Sequence, residues 1–212
     1  MLNLMAARRL GGIGGILFVV LFVPAYLSPP DSSDTSSAPQ DVIDYFTSRQ
    51  DGILFINGLL LIFAAFFLLW FLGAAKRVLR GAEGEEEYGF SSISLAGGVL
   101  FIALILAGAA VEILYLASLG WFENFQEDAQ LGYLSLRLSG WMYRFAFVGM
   151  AALISAASVV LLRTDVLPRW LAWAGFVAAL VALLRFLGPL GGWLALLWVI
   201  ALSMLFQKTE KE

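Results

Sequence analysis

The sequence lacks cysteine and histidine altogether, since none of its 212 residues is either. These absences exclude disulfide bonds, thiolate nucleophiles, histidine-ligated haem, zinc sites built from either residue, and a Ser-His-Asp triad. Carboxylates, hydroxyls, lysine, arginine and the backbone are the groups left for chemistry. We therefore expect no bound metal and no cofactor.

Charge is also scarce. Only 14% of the residues are charged and 61% are hydrophobic, with a mean hydropathy of +0.87, whereas soluble domains have about 25% and 45–50%. This composition is typical of an integral membrane protein, with membrane lipids as its first partners. The net charge of -3 offers no basic stripe for neutralising phosphates, so nucleic acid is not an expected partner.

Six apolar segments are long enough to approach or cross a hydrocarbon layer of about 30 Å at about 1.5 Å per helical residue. They cover residues 10–27, 52–75, 93–119, 134–162, 170–187 and 190–206. Residues 28–51 form an outer loop with a short amphipathic helix at 41–49, for which resting on head groups is favoured over forming a lid. The sequence therefore predicts an all-α, six-helix membrane bundle that forms one transmembrane domain over residues 1–212.

Positive charge predicts the orientation of this bundle. Membrane proteins keep lysine and arginine in their cytoplasmic loops, and an even number of spans returns the chain to its starting side. Both termini are therefore expected in the cytoplasm, at the inner membrane of a bacterium. Nine of the 13 cations then lie inside, namely Arg8, Arg9, Lys76, Arg77, Arg80, Arg163, Arg169, Lys208 and Lys211.

Pairs of small residues at four-residue spacing predict where helices pack closely, because they let backbones approach in lipid. The pairs are Gly11 with Gly15, Ala103 with Ala107, Ala151 with Ser155, and Ala174 with Ala178.

One acid interrupts the third apolar segment. Residues 91–119 carry no charge except Glu112, and an ionisable side chain in a membrane helix is costly and usually faces the protein interior. Counting outward from the cytoplasmic flanks places Asn57, Glu112 and Arg144 at about 28 Å. Arg185 reaches about 24 Å. Four segments thus bring polar side chains to one level near the outer edge of the hydrocarbon.

Two interpretations of this level remain open. In the structural one, Glu112 pairs with an arginine and locks two helices together, while the other arginines extend to the head groups. In the functional one, the level is an outward-facing vestibule that binds a small polar or anionic ligand or a lipid head group. Its predicted ligand-binding residues are Glu112, Tyr115, Arg144, Arg185 and Asn57.

The leading functional hypothesis is a non-enzymatic membrane protein with this vestibule. A small transporter or channel subunit, homo-oligomeric because six short spans make a narrow bundle, is the alternative. Transport should require a polar route below Glu112, and the inner halves of the helices offer only a few serines. A membrane-embedded enzyme comes third, with no catalytic residue assigned. It would need at least two carboxylates beside one cavity, from among Glu112, Asp51, Glu123 and Asp128.

The string Leu167-Pro168-Arg169-Trp170-Leu171 opens the penultimate helix, and RRLGGIGGILFVVLF opens the chain's first apolar segment. In these strings the sequence resembles a family of bacterial multi-pass membrane proteins defined as a domain of unknown function. The resemblance implies a six-helix bacterial membrane protein, and it implies no activity and no site residue.

Overall fold

The computed structural model describes residues 4–27, 39–84, 89–121, 128–164, 167–184 and 190–208. Within these ranges every regular element is helical, which confirms the all-α prediction. The elements are α1 (Leu4–Leu27), α2 (Pro39–Ser48), α3 (Gln50–Phe55), a π-helical turn (Ile56–Leu60), α4 (Leu61–Glu83), α5 (Phe90–Trp121), α6 (Ala129–Arg163), α7 (Arg169–Leu183) and α8 (Leu190–Lys208).

Five stretches of helix are long and apolar enough to cross a membrane, so the chain is a multi-pass membrane protein. They are Arg8–Leu27, Gln50–Glu83, Phe90–Leu119, Ala129–Arg163 and Leu190–Gln207. Helix α7 is also apolar but has 15 residues, a length of about 22 Å. The predicted fifth segment ran to residue 187, and its last three residues lie outside the described ranges.

The long helices α5 and α6 run antiparallel, since Gly97 lies against Gly149 and Gly108 lies against Tyr143. Gly12 on α1 lies against Ser203 and Gln207 near the end of α8. The start of α1 and the end of α8 therefore lie at one end of the bundle, which we call the basal end. The opposite end, reached by Glu112 on α5, is called the distal end.

The glycines of α1 explain how this helix fits between two neighbours. Gly11 lies against Ala74 of α4, and Gly15 lies against Ser203 of α8, so closely that a Cβ atom at either position would collide with its neighbour. The predicted packing role of Gly11 and Gly15 is confirmed. A comparable crossing joins α5 to α6, where a Cβ at Gly97 would lie 2.6 Å from the Gly149 carbonyl oxygen.

The middle of the bundle is filled with aromatic rings. The rings of Phe18 and Phe101 meet edge to face with their centroids 6.2 Å apart, and those of Phe101 and Phe147 do so at 5.7 Å. All three side chains are buried. Edge-to-face contact is a favourable aromatic geometry, and it leaves an apolar layer on the basal side of Glu112.

Helix α2 packs on protein instead of resting on head groups. Its side chains Val42, Tyr45 and Phe46 are buried against Tyr115 of α5 and Leu136 of α6. The physical reason is the length of α5 and α6, which have 32 and 35 residues. At about 48 and 52 Å they exceed the hydrocarbon layer, and their distal ends supply an apolar surface for α2. The other interpretation of this helix, a lid over a cavity, stays a prediction.

Candidate functional site

Three helical elements meet at the carboxylate of Glu112, which is only 3% exposed. The Nδ2 group of Asn57 donates a hydrogen bond to Oε2 at 2.5 Å. The hydroxyl of Ser139 on α6 donates to Oε1 at 2.7 Å. Since Asn57 and Ser139 are buried too, the acid joins the π-helical turn, α5 and α6 through bonds that water does not weaken.

Tyr143 completes the surroundings of this carboxylate. Its hydroxyl faces Glu112 from α6, one helical turn from Ser139. Its ring packs on α5 at Gly108, where a Cβ would lie 2.7 Å from the ring atom Cε1. Gly108 and Glu112 are four residues apart, as are Ser139 and Tyr143, so the two helix faces match turn for turn. Glycine at 108 makes room for the ring that covers the acid.

The π-helical turn gives Asn57 its direction. The N–H of Leu61 donates to the carbonyl oxygen of Ile56, five residues earlier, so this turn contains one residue more than a regular α-helical turn. One residue rotates a helix by about 100°, so the extra residue changes the direction of Asn57 relative to the side chains of α4. Such π-helical turns frequently occur at functional sites.

An aromatic roof, formed by Tyr45, Phe46 and Tyr115, covers the cluster at the distal end. The ring centroids of Phe46 and Tyr115 lie 4.5 Å apart, and the rings of Tyr45 and Phe46 meet edge to face with their centroids 5.4 Å apart. The Tyr115 hydroxyl donates to the carbonyl oxygen of Asp128 at 3.0 Å. Gly132 allows this close packing, because a Cβ there would lie 2.9 Å from the Tyr115 ring. The roof separates Glu112 from the distal surface.

The structure brings together three of the five residues that the sequence predicted for the site. Asn57 bonds Glu112, and Tyr115 lies one turn above the acid. Arg144 does not join them, because its side chain is exposed and its Cζ atom lies 5.0 Å over the Trp141 ring. Arg185 lies outside the described ranges.

The misplacement of Arg144 has a simple geometric reason. The level was estimated from distance along the helix, but the direction of a side chain depends on rotation about the axis. Arg144 follows Ser139 by five residues, a rotation of about 140°, whereas Tyr143 follows it by four and stays within about 40°. Glu112 therefore forms no ion pair with Arg144, and the hydrogen-bond partners given above for the acid are neutral. An ion pair with Arg185, the other arginine expected at this level, falls outside the described ranges.

Sequence reasoning missed Ser139, Tyr143, Tyr45 and Phe46. The sequence did contain a signal for Ser139 and Tyr143. These two hydroxyl residues are four apart on α6, and Gly108 and Glu112 have the same spacing on α5. No comparable signal marked the π-helical turn, which depends on packing between helices.

The remaining acids do not converge on Glu112 in the described part of the chain. Asp51 is exposed at the start of α3. Asp128 is exposed and caps α6, where its carboxylate accepts the N–H groups of Gln130 and Leu131. Glu123 lies outside the described ranges. Among the described residues the cluster therefore offers one carboxylate together with hydroxyl and amide groups.

Comparison with protein family models, curated proteins and solved structures found no match. The resemblance of residues 8–22 and 167–171 to a family of bacterial membrane proteins gains no support from these comparisons. The function of the site must be inferred from its geometry.

Proposed function

We propose that this protein is a non-enzymatic integral membrane protein that binds a small polar ligand or a lipid head group at its distal end. The observation that carries the proposal is the buried carboxylate of Glu112, held by Asn57 and Ser139 beside the hydroxyl of Tyr143. A buried acid in a membrane helix is costly, and a functional site is the default hypothesis for one.

The chemistry of the cluster favours a ligand with an ammonium group. An anion would be repelled by Glu112, since the groups described around that acid carry no positive charge. An ammonium ion would pair with the carboxylate and donate to the oxygens of Ser139 and Tyr143. The roof rings of Tyr45 and Phe46 would add the attraction of aromatic faces for a cation. The proposed ligand class is thus a small organic ammonium compound or an amine-bearing lipid head group.

Entry to the cluster requires the aromatic roof to move. Two roof residues, Tyr45 and Phe46, belong to α2, and the backbone leaves helical geometry at Arg49, with φ -111° and ψ 11°, before α3 begins. A break of this kind lets α2 rotate while α3 and α4 remain packed. We propose that α2 is the lid of the binding site.

We further propose six membrane crossings, with α7 as the short one, and both termini in the cytoplasm of a bacterium. Two features support this topology. The start of α1 and the end of α8 lie at the same end of the bundle, as expected for an even number of crossings. The cations Lys76, Arg77 and Arg163 flank the basal ends of α4 and α6, as expected for a cytoplasmic side.

The transporter alternative has weaker support than binding. A transport route would continue from Glu112 towards the basal end, where Phe101, Phe147 and Met150 fill the space between helices. Ser94 on that path donates its hydroxyl to the Leu153 carbonyl oxygen, so it serves helix packing.

Thermal unfolding of the full chain in detergent tests the proposal. Ethylammonium should raise the melting temperature of the wild type, whereas ethanol and acetate should not. Ligand at ten times its dissociation constant stabilises by about 1.4 kcal/mol, which shifts the melting temperature by about 3–5 °C. Glu112→Gln should abolish the shift, and Asp51→Asn, which removes an exposed acid near the same end, should keep it. An equal ethylammonium shift in wild type and Glu112→Gln would contradict the proposal.

A further inference from the structure

A second feature, independent of Glu112, lies on the outer face of α6. Five exposed residues at intervals of four, four, three and four follow one side of this helix, a spacing that keeps them on one stripe. We call them the outer stripe: Tyr133, Arg137, Trp141, Arg144 and Val148. Trp141 is 43% exposed and Val148 49%, so the stripe faces away from the bundle.

Aromatic rings hold both arginines of the outer stripe in place. The Nε group of Arg137 donates to the Tyr133 hydroxyl at 2.8 Å, and its Cζ atom lies 4.9 Å over that ring. Arg144 lies over Trp141 at 5.0 Å. Within the described ranges neither guanidinium forms an ion pair. Arginine stays charged under all ordinary conditions, so the stripe presents two positive charges that an external anion can bind.

The height of the two arginines identifies which anion is available. Arg163, at the basal end of α6, flanks the hydrocarbon, and Arg144 lies 19 residues from it. That distance is about 28 Å, close to the thickness of the hydrocarbon layer. Arg137 lies about 10 Å further out. The two guanidinium groups therefore reach the head-group layer, where lipid phosphates lie.

We propose that the outer stripe of α6 binds the phosphate of an anionic phospholipid in the leaflet at the distal end. The guanidinium fork matches phosphate oxygens, and the ring beneath each guanidinium limits its freedom before binding. Net charge selects the lipid class, because an anionic head group attracts both arginines, whereas the zwitterionic head group of phosphatidylcholine pairs its phosphate with a quaternary ammonium ion that they repel. Exposed apolar residues beside the stripe, Leu138 and Phe145, receive the acyl chains.

Tryptophan quenching by lipids with brominated acyl chains tests this proposal. The full chain is placed in phosphatidylcholine vesicles that contain increasing brominated phosphatidylglycerol or, in parallel, brominated phosphatidylcholine. The chain has seven tryptophans, so the signal of Trp141 is obtained as the difference between wild type and Trp141→Phe. We expect quenching at Trp141 to show a preference of about fivefold or more for phosphatidylglycerol, since each arginine near a charged head group contributes roughly this factor.

Charge variants identify the residues responsible. The double variant Arg137→Gln/Arg144→Gln should bring the preference at Trp141 close to one, and the lysine pair Arg137→Lys/Arg144→Lys should keep part of it. The matched control is Arg77→Gln, which removes an exposed arginine of α4 at the basal end and should leave the preference unchanged.

Three results would overturn the proposal. The first is equal quenching of wild-type Trp141 by the two lipids, which decides the matter even where the double variant fails to fold. The second is a preference that survives in a folded double variant. The third is protection of Trp141 from both lipids, which would show that a second copy of the chain covers the stripe.

Discussion

Ser139 and Arg144 lie five residues apart on α6 and meet opposite environments. Ser139 is fully buried and donates its hydroxyl to the carboxylate of Glu112, while Arg144 is exposed and lies over Trp141. On its inner face, α6 supplies uncharged side chains to the acid of α5. On its outer face, the long arginine side chains are exposed and lie over aromatic rings of the same helix. One face of α6 thus contacts the acid of α5, and another face carries exposed arginines.

This comparison predicts that changes on the inner face destabilise the fold far more than changes on the outer face. The largest effect is expected for Glu112→Ala, which leaves the buried Asn57 amide without its acceptor and removes the bond from Ser139 to α5, so that this hydroxyl keeps only the Leu136 carbonyl oxygen. A buried group left unsatisfied costs about 1–3 kcal/mol, and the space left by the shortened side chain adds to that cost, so the melting temperature in detergent should fall by about 5 °C or more. Glu112→Gln, which keeps one acceptor oxygen, should lose less. Equal melting temperatures for the two variants would contradict the hydrogen-bonded cluster.

A second prediction concerns the fit between α5 and α6. In Gly108→Ala the added methyl group lies 2.7 Å from the Tyr143 ring, and overpacking of this kind costs about 1–3 kcal/mol. Gly140→Ala on α6 is the matched control, because a Cβ there has nothing within 4 Å. We expect Gly108→Ala to lower the melting temperature and Gly140→Ala to leave it unchanged. Comparable melting temperatures would show that Tyr143 does not pack over Gly108.

A third prediction tests whether Asn57 and Glu112 act as one unit. Asn57→Ala removes the donor to Oε2 and should destabilise by about 1–2 kcal/mol in the wild type. In a Glu112→Ala background the same change should cost much less, because its partner is already gone. Urea or thermal unfolding of the four proteins of this cycle measures the coupling energy. Strictly additive effects would mean that Asn57 and Glu112 do not act as one unit.

The smallest effect is expected on the outer face. Arg144→Gln removes a contact with the Trp141 ring on an exposed surface, and such changes usually alter stability by less than about 0.5 kcal/mol. The melting temperature in detergent should therefore stay within about 2 °C of the wild type. A loss as large as that of Glu112→Ala would remove the distinction between the two faces of α6.

The candidate site shows how far sequence reasoning reached. The depth estimate brought Asn57 and Glu112 to one level, and these two side chains do bond each other. The same estimate failed for Arg144, since height along a helix carries no information about which neighbour a side chain faces. Tyr143 went unnoticed because a tyrosine in an apolar helix looks like an ordinary interface residue until its partner on α5 is known.

Composition and charge by themselves determined that this protein is helical, membrane-spanning and provided with one acid in an apolar helix, because lipid leaves few alternatives to helices. The spacing of small residues predicted that Gly11 and Gly15 lie on a packing face, and the structure supplied their partners on α4 and α8. Only the tertiary structure decided the partners of Glu112, the π-helical turn that directs Asn57, and the packing of α2 on α5 and α6. Each depends on how a helix is rotated against its neighbours, and that rotation is set by side-chain packing between segments far apart in the chain.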